Sequence, residues 1–155
     1  MLLLTFQAGS QQYAINAKSV QEVIPLVKTR ELAGAPDFVS GVFSYRGTLV
    51  PVIDVTLMLS GKRSAEHLST RIIIVKYPEA GESGNVLGLL AEHVTSTAGR
   101  KAETFADPGV ATPGAPWLGK ISVEEKEMLQ IVKIEDILTD ELKATLFVAS
   151  KEEAL

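Results

Sequence analysis

The 155-residue sequence predicts a mainly β protein with short helices and one C-terminal helix. Short apolar runs come in pairs across glycine-bearing or polar turns, and sustained helical spacing is confined to the C-terminal part, residues 134–147. One order of glycine, strand, turn, strand and short helix occurs twice along the chain. With 46% apolar and 22% charged residues the composition is that of an ordinary globular domain. The length favours one compact unit and leaves room for two small barrels.

Residues 2–7 and 12–15 are apolar runs on either side of Ala8-Gly9-Ser10-Gln11, so they form a first hairpin. Asn16 can cap a short helix over residues 17–23, where Ala17, Val20 and Val23 or Ile24 recur at helical spacing until Pro25, although the valines would suit a strand as well. Residues 41–54 form a second hairpin turning at Arg46-Gly47, followed by one helical turn through Leu57, Met58 and Leu59 that Gly61 ends. Residues 72–77 and 86–91 pair across a polar loop, residues 78–85. Residues 99–116, with three prolines and three glycines, form a long connection. Residues 119–123 and 128–133 make the last hairpin around an acidic loop. Ile137, Leu138, Leu142 and Leu146 then carry the C-terminal helix, with Thr139 placed to cap it; residues 150–155 are expected to fray.

Gly41 and Gly119 stand 78 residues apart at the start of the repeated pattern, and Leu59 and Leu138 stand 79 apart at its end. Upstream, AINAKSVQEV at residues 14–23 resembles GLLAEHVTST at residues 88–97. Loose matches of this kind also arise by chance among short strands. A true duplication would imply two similar small barrels in one chain.

The stretch GVFSYRGTLVPVID, residues 41–54, sharpens the issue. A turn at Arg46-Gly47 puts Phe43, Tyr45, Val50 and Val52 on one face and Val42, Leu49, Pro51 and Ile53 on the other. Both faces are apolar, whereas a closed barrel buries only its inner one. The outer face therefore has to pack on a second barrel, a helix or another protein. Pro51 lacks a ladder donor and marks an edge or bulge. Arg46 is either a solvated turn residue or a fork donor beside a groove, and Asp54 fits a helix cap.

Catalytic chemistry finds no footing. The chain has no cysteine, and its histidines, His67 and His93, match no common metal-ligand spacing, so no metal or cofactor is expected. No Gly-x-Ser-x-Gly elbow and no phosphate-binding glycine loop occur, and a serine triad or carboxylate pair could be assembled only by free choice of members. The competing non-enzyme class is a small barrel that binds oligonucleotides, with Phe43 and Tyr45 as stacking platforms. A net charge of −4 and scattered basic residues argue against it. The absence of cysteine, of a signal peptide pattern and of any membrane-length apolar run favours the cytoplasm.

The segments LLLTFQAGSQQYAINAKSVQEVI, APDFVSGVFSYRGTLVPVIDV, STRIIIV, NVLGLLAEHVTST and LQIVKIEDIL together resemble the CheW-like coupling proteins of bacterial chemosensory systems, over nearly the whole chain. In finer detail the chain is similar to the CheW-like adaptors of Wsp-type surface-sensing arrays. The resemblance implies two intertwined five-stranded barrels of SH3-like form with a hydrophobic groove between them. It implies a single domain over residues 1–149, with barrel subdomains at roughly residues 14–70 and 71–134 and the terminal segments intertwined. The implied role is a scaffold without catalysis, linking the cytoplasmic tip of a methyl-accepting chemoreceptor to the regulatory domain of a CheA-type histidine kinase. It would bind no nucleic acid, would not insert into the membrane, and would sit at membrane-bound arrays through its partners. By position, the receptor contact would involve Val20, Glu22 and Val23 on the short helix, with Gly41, Arg46, Ile72 and Gly88 lining or shaping the groove. The kinase-facing surface is not assigned. Ser44-Tyr45 replaces the family's usual Asn-Leu before Arg-Gly, Arg71 and Thr97 occupy usually apolar edges, and the loop at residues 78–85 is longer, departures that point to a receptor and kinase set different from that of the main chemotaxis array.

Overall fold

A computed structural model of the chain describes residues 1–77, 85–109, 114–124 and 126–153, and side chains as far as residue 147. Ten strands and two α-helices follow one another: β1 (Leu2–Ala8), β2 (Gln11–Asn16), β3 (Val20–Pro25), β4 (Val39–Tyr45), β5 (Thr48–Asp54), α1 (Val55–Ser60), β6 (Arg71–Lys76), β7 (Val86–Gly99), β8 (Phe105–Ala106), β9 (Leu118–Glu124), β10 (Glu127–Val132) and α2 (Asp140–Glu153). The mainly β reading holds. The loop expected at residues 78–85 lies outside the described residues except for Asn85, as does part of the connection at 110–113. Helix α2 extends to Glu153, and residues 154–155 lie outside the described part.

Strand pairing builds two units, one of five strands and one of five with a sixth, short strand on its edge. In one, β3, β6, the first half of β7, β5 and β4 are neighbours in that order. In the other, the second half of β7 pairs with β1, then come β2, β10 and β9, with the short β8 on the edge. Each unit contains the same run of pairings, antiparallel, parallel, antiparallel: β6–β7–β5–β4 in one and β1–β2–β10–β9 in the other. This is the structural counterpart of the sequence repeat. The expected division at residue 70 follows that repeat and not the barrels, because β6 and β7 complete the sheet that β3, β4 and β5 begin. Parallel neighbours cannot be joined by a tight turn, so each barrel draws its parallel partner from the other half of the chain. β7 serves both sheets, and at the crossing His93 adopts a left-handed backbone (φ 53°) beside a register shift.

Side-chain alternation sorts the apolar residues into three clusters. Leu3, Ala14 and Leu129 fill the unit of β1, β2, β10 and β9, called here the first barrel, and Val52, Ile72 and Ile74, with Ile24, Phe43, Tyr45, Val86 and Leu90 against them, fill the unit of β3 to β6, the second barrel. Between the barrels lies the largest cluster, to which Phe6, Ile15, Ile53, Ile73, Leu87, Leu89 and Val132 contribute. The β4–β5 hairpin pairs as expected, Tyr45 with Thr48 and Phe43 with Val50. Its two faces serve different clusters: Phe43, Tyr45 and Val52 face the barrel interior, and Ile53 faces the central one. Pro51 is accommodated because its partner Val42 exchanges both backbone bonds with Arg30 (2.8 and 2.9 Å), leaving no demand on Pro51, and the ladder to β7 begins at Val52.

Both helices start where their caps predict. Asp54 is 2% exposed; its Oδ1 accepts from Leu57 N (3.2 Å) and Ser64 Oγ (2.8 Å), and its Oδ2 from Ser64 N (3.0 Å). Gly61 ends α1 in the left-handed region at φ 80°. Thr139 Oγ1 accepts from Leu142 N at the start of α2, which lays Leu142, Leu146 and Phe147 onto the central cluster.

Candidate functional site

The short helix expected over residues 17–23 is a strand for most of its length. Asn16 accepts from Lys18 N (3.0 Å) and caps only a 3₁₀ turn at Ala17–Ser19; from Val20 the chain is β3, paired to β6. Val20, Val23 and Ile24 are β-branched and keep their χ1 freedom better in a strand than against a preceding helical turn. Val20, Glu22 and Val23 therefore lie on an edge strand that, among the described residues, pairs with β6 alone, and all three are partly buried. Val20 and Val23 lean on the central cluster, while Ile24 turns to the second barrel.

Glu22 meets the tip of the β4–β5 hairpin. Its Oε1 accepts from Arg46 Nη2 at 2.6 Å and from the Tyr45 hydroxyl at 2.5 Å. Arg46, at φ 52°, holds its guanidinium carbon 5.0 Å from the centre of the Tyr45 ring, which Phe43 meets edge-on at 6.1 Å. These side chains span the seam between β3 and β4, which backbone bonds close only farther along, at Arg30 and Val42. The Arg46 and Glu22 side chains are 69% and 37% exposed, so their pairing adds at most about 1 kcal/mol to stability.

The other expected residues are placed differently. Ile72 is fully buried inside the second barrel and lines no open surface. Gly88 is buried beside it; a Cβ there would come within 3.0 Å of Ile72 Cγ2 and 3.1 Å of Val52 Cγ2. Gly41 has φ 136°, and a Cβ would stand 2.2 Å from the Arg30 carbonyl oxygen. Both glycines do permit close approach, but of this chain to itself. Thus Val20, Glu22, Val23 and Arg46 reach the surface, and Gly41, Ile72 and Gly88 shape it from beneath.

A CheW-like domain model matches residues 2–142. The chain belongs to the CheW-like family. It is 26% identical over 140 residues to the chemotaxis protein CheW of Klebsiella aerogenes, covering 89% of this chain and 81% of that protein. The CheW of Bacillus subtilis is likewise 26% identical over 140 residues, covering 90% and 87%. The crystal structure of the scaffolding protein TtCheW from Thermoanaerobacter tengcongensis superposes with a TM-score of 0.74 at 23% identity, over 86% of this chain and 84% of that one, which is a match of fold.

The open apolar cleft that the CheW-like resemblance implied is filled at its centre by the chain's own side chains, the central cluster. What stays accessible is the rim, where Val20, Val23, Leu32, Phe38, Met58 and Leu142 are only partly buried. One concavity of about 610 Å³ opens on that rim between residues 32–38 and the start of α2. Phe43 and Tyr45, candidates for base stacking, pack on each other and into the second barrel instead. His67 and His93 are exposed and stack with ring centres 5.8 Å apart; among the described residues no group of three or more His, Cys, Asp or Glu side chains is arranged to hold a metal. Tyr45 is the member of the site that the sequence did not single out as a polar group, since its aromatic character suggested packing. Alternation had put Tyr45 and Phe43 on one face, but not that the hydroxyl would reach across to β3.

Proposed function

We propose that this chain is a non-catalytic scaffold joining the cytoplasmic tip of a chemoreceptor to the regulatory domain of a CheA-type histidine kinase. Membership of the CheW-like family across residues 2–142 carries the reading. The surface supports it: an edge strand with half-buried valines beside a charged pair suits a partner helix that covers apolar side chains while polar contacts fix its register. Val20, Glu22, Val23 and Arg46 make the receptor contact, and Gly41, Ile72 and Gly88 hold the strands that present it. Signal passes as a change in packing among three proteins, a coupling free energy rather than a reaction. No helix of the described residues is long and apolar enough to cross a membrane, and the partners hold the chain at receptor arrays.

Affinity capture from the source cell, with identification of what is retained, tests this. A chemoreceptor and a CheA-type kinase are the expected companions. Recovery of oligonucleotide without either would end the proposal.

A further inference from the structure

We infer that Tyr45 sets what the Glu22–Arg46 pair offers a partner, and that the offer fits a carboxamide side chain, glutamine or asparagine, on the receptor helix. The inference rests on the receptor-binding role proposed above.

Arginine and glutamate left to themselves favour a two-pronged fork that uses both carboxylate oxygens and two guanidinium nitrogens. Here the pair is one-pronged, Nη2 to Oε1, and the Tyr45 hydroxyl donates to that same oxygen. The ring beneath the guanidinium, braced by Phe43, holds Arg46 to one side of the carboxylate. Among the described residues, Oε2 of Glu22 and the other guanidinium N–H groups of Arg46 have no hydrogen-bond partner. An acceptor next to donors is the complement of a carboxamide, whose carbonyl accepts while its NH₂ donates. A partner carboxylate would meet the Arg46 donors but be repelled by Glu22, and an ammonium would suffer the converse.

A double-mutant cycle tests this, using a soluble receptor-tip fragment and fragments with each contact-face Gln or Asn changed to Leu. Tyr45→Phe keeps the ring and frees the carboxylate to close the fork, so it is expected to bind the fragment about tenfold more weakly at an unchanged melting temperature. One Gln or Asn→Leu change in the fragment should weaken binding to the wild-type chain by a similar factor and weaken binding to Tyr45→Phe no further. Full-strength binding by Tyr45→Phe, a loss independent of every carboxamide in the fragment, or an equal loss of kinase binding with a lowered melting temperature would overturn the inference and leave the scaffold role standing. Failure of the wild-type chain to bind any receptor fragment would overturn both.

Discussion

At Gly41 the chain turns back on itself so closely that a methyl group would collide with the Arg30 carbonyl, and the backbone is already in a conformation that disfavours any other residue. Gly41→Ala is expected to destabilise the fold by at least about 2 kcal/mol, read from the urea midpoint. Asp54 is the opposite kind of residue, a buried carboxylate satisfied from three directions. Asp54→Ala removes the cap of α1 and strands the Ser64 N–H, while the Ser64 hydroxyl keeps Thr56 Oγ1 as a partner, at a cost of about 3 kcal/mol. An unchanged melting curve for either variant would contradict its assigned role. The cap was legible in the sequence because capping is local: Asp54 precedes a short apolar turn that a glycine ends. The hydroxyl bond from Tyr45 to Glu22 was not, because its ends lie 23 residues apart and meet only when the barrel curls.

At the level of elements, β3 decides how the surface can be probed. Val20 sits half-buried on the edge strand, and Ile72 lies on the adjacent β6 but faces the closed interior of the second barrel. Val20→Glu should therefore weaken receptor binding with a near-native far-UV spectrum. Ile72→Glu puts a carboxylate among Val52 and Ile74 and should lose the fold, so its failure to bind would say nothing about the groove. Retention of fold by Ile72→Glu would contradict the interior placement. Helical spacing suggested a helix over residues 17–23, but three β-branched residues and an available partner strand outweighed it.

Across the whole molecule, two buried tyrosines link stability to alkaline pH. Burial raises Tyr13 and Tyr77 above the ordinary 10.0, and for Tyr77 it prevails over the nearby Lys143 ammonium, which pulls the other way. The folded chain then holds these protons more tightly than the unfolded one, so their contribution is complete below the unfolded value and is lost as pH rises through the folded values. Urea midpoints should fall between about pH 9 and about pH 11, and fall less in a Tyr13→Phe, Tyr77→Phe variant. Equal slopes would contradict the burial argument. Tyr77 matters here because it stacks on Phe147 at 5.5 Å and donates to the Glu135 carbonyl, tying α2 to the central cluster.

The sequence by itself determined every strand but β3 and the short β8, together with the hairpin register at Arg46-Gly47, both helix caps and the family. Each depends on neighbours a few residues apart or on patterns read along the chain. Tertiary structure alone decided which barrel each strand joins, that the central cleft is filled, and that Ile72 and Gly88 lie beneath the surface. Parallel pairing takes partners from distant parts of the chain, and where two faces of a strand are both apolar, only the closed sheet can say which one another molecule is able to reach.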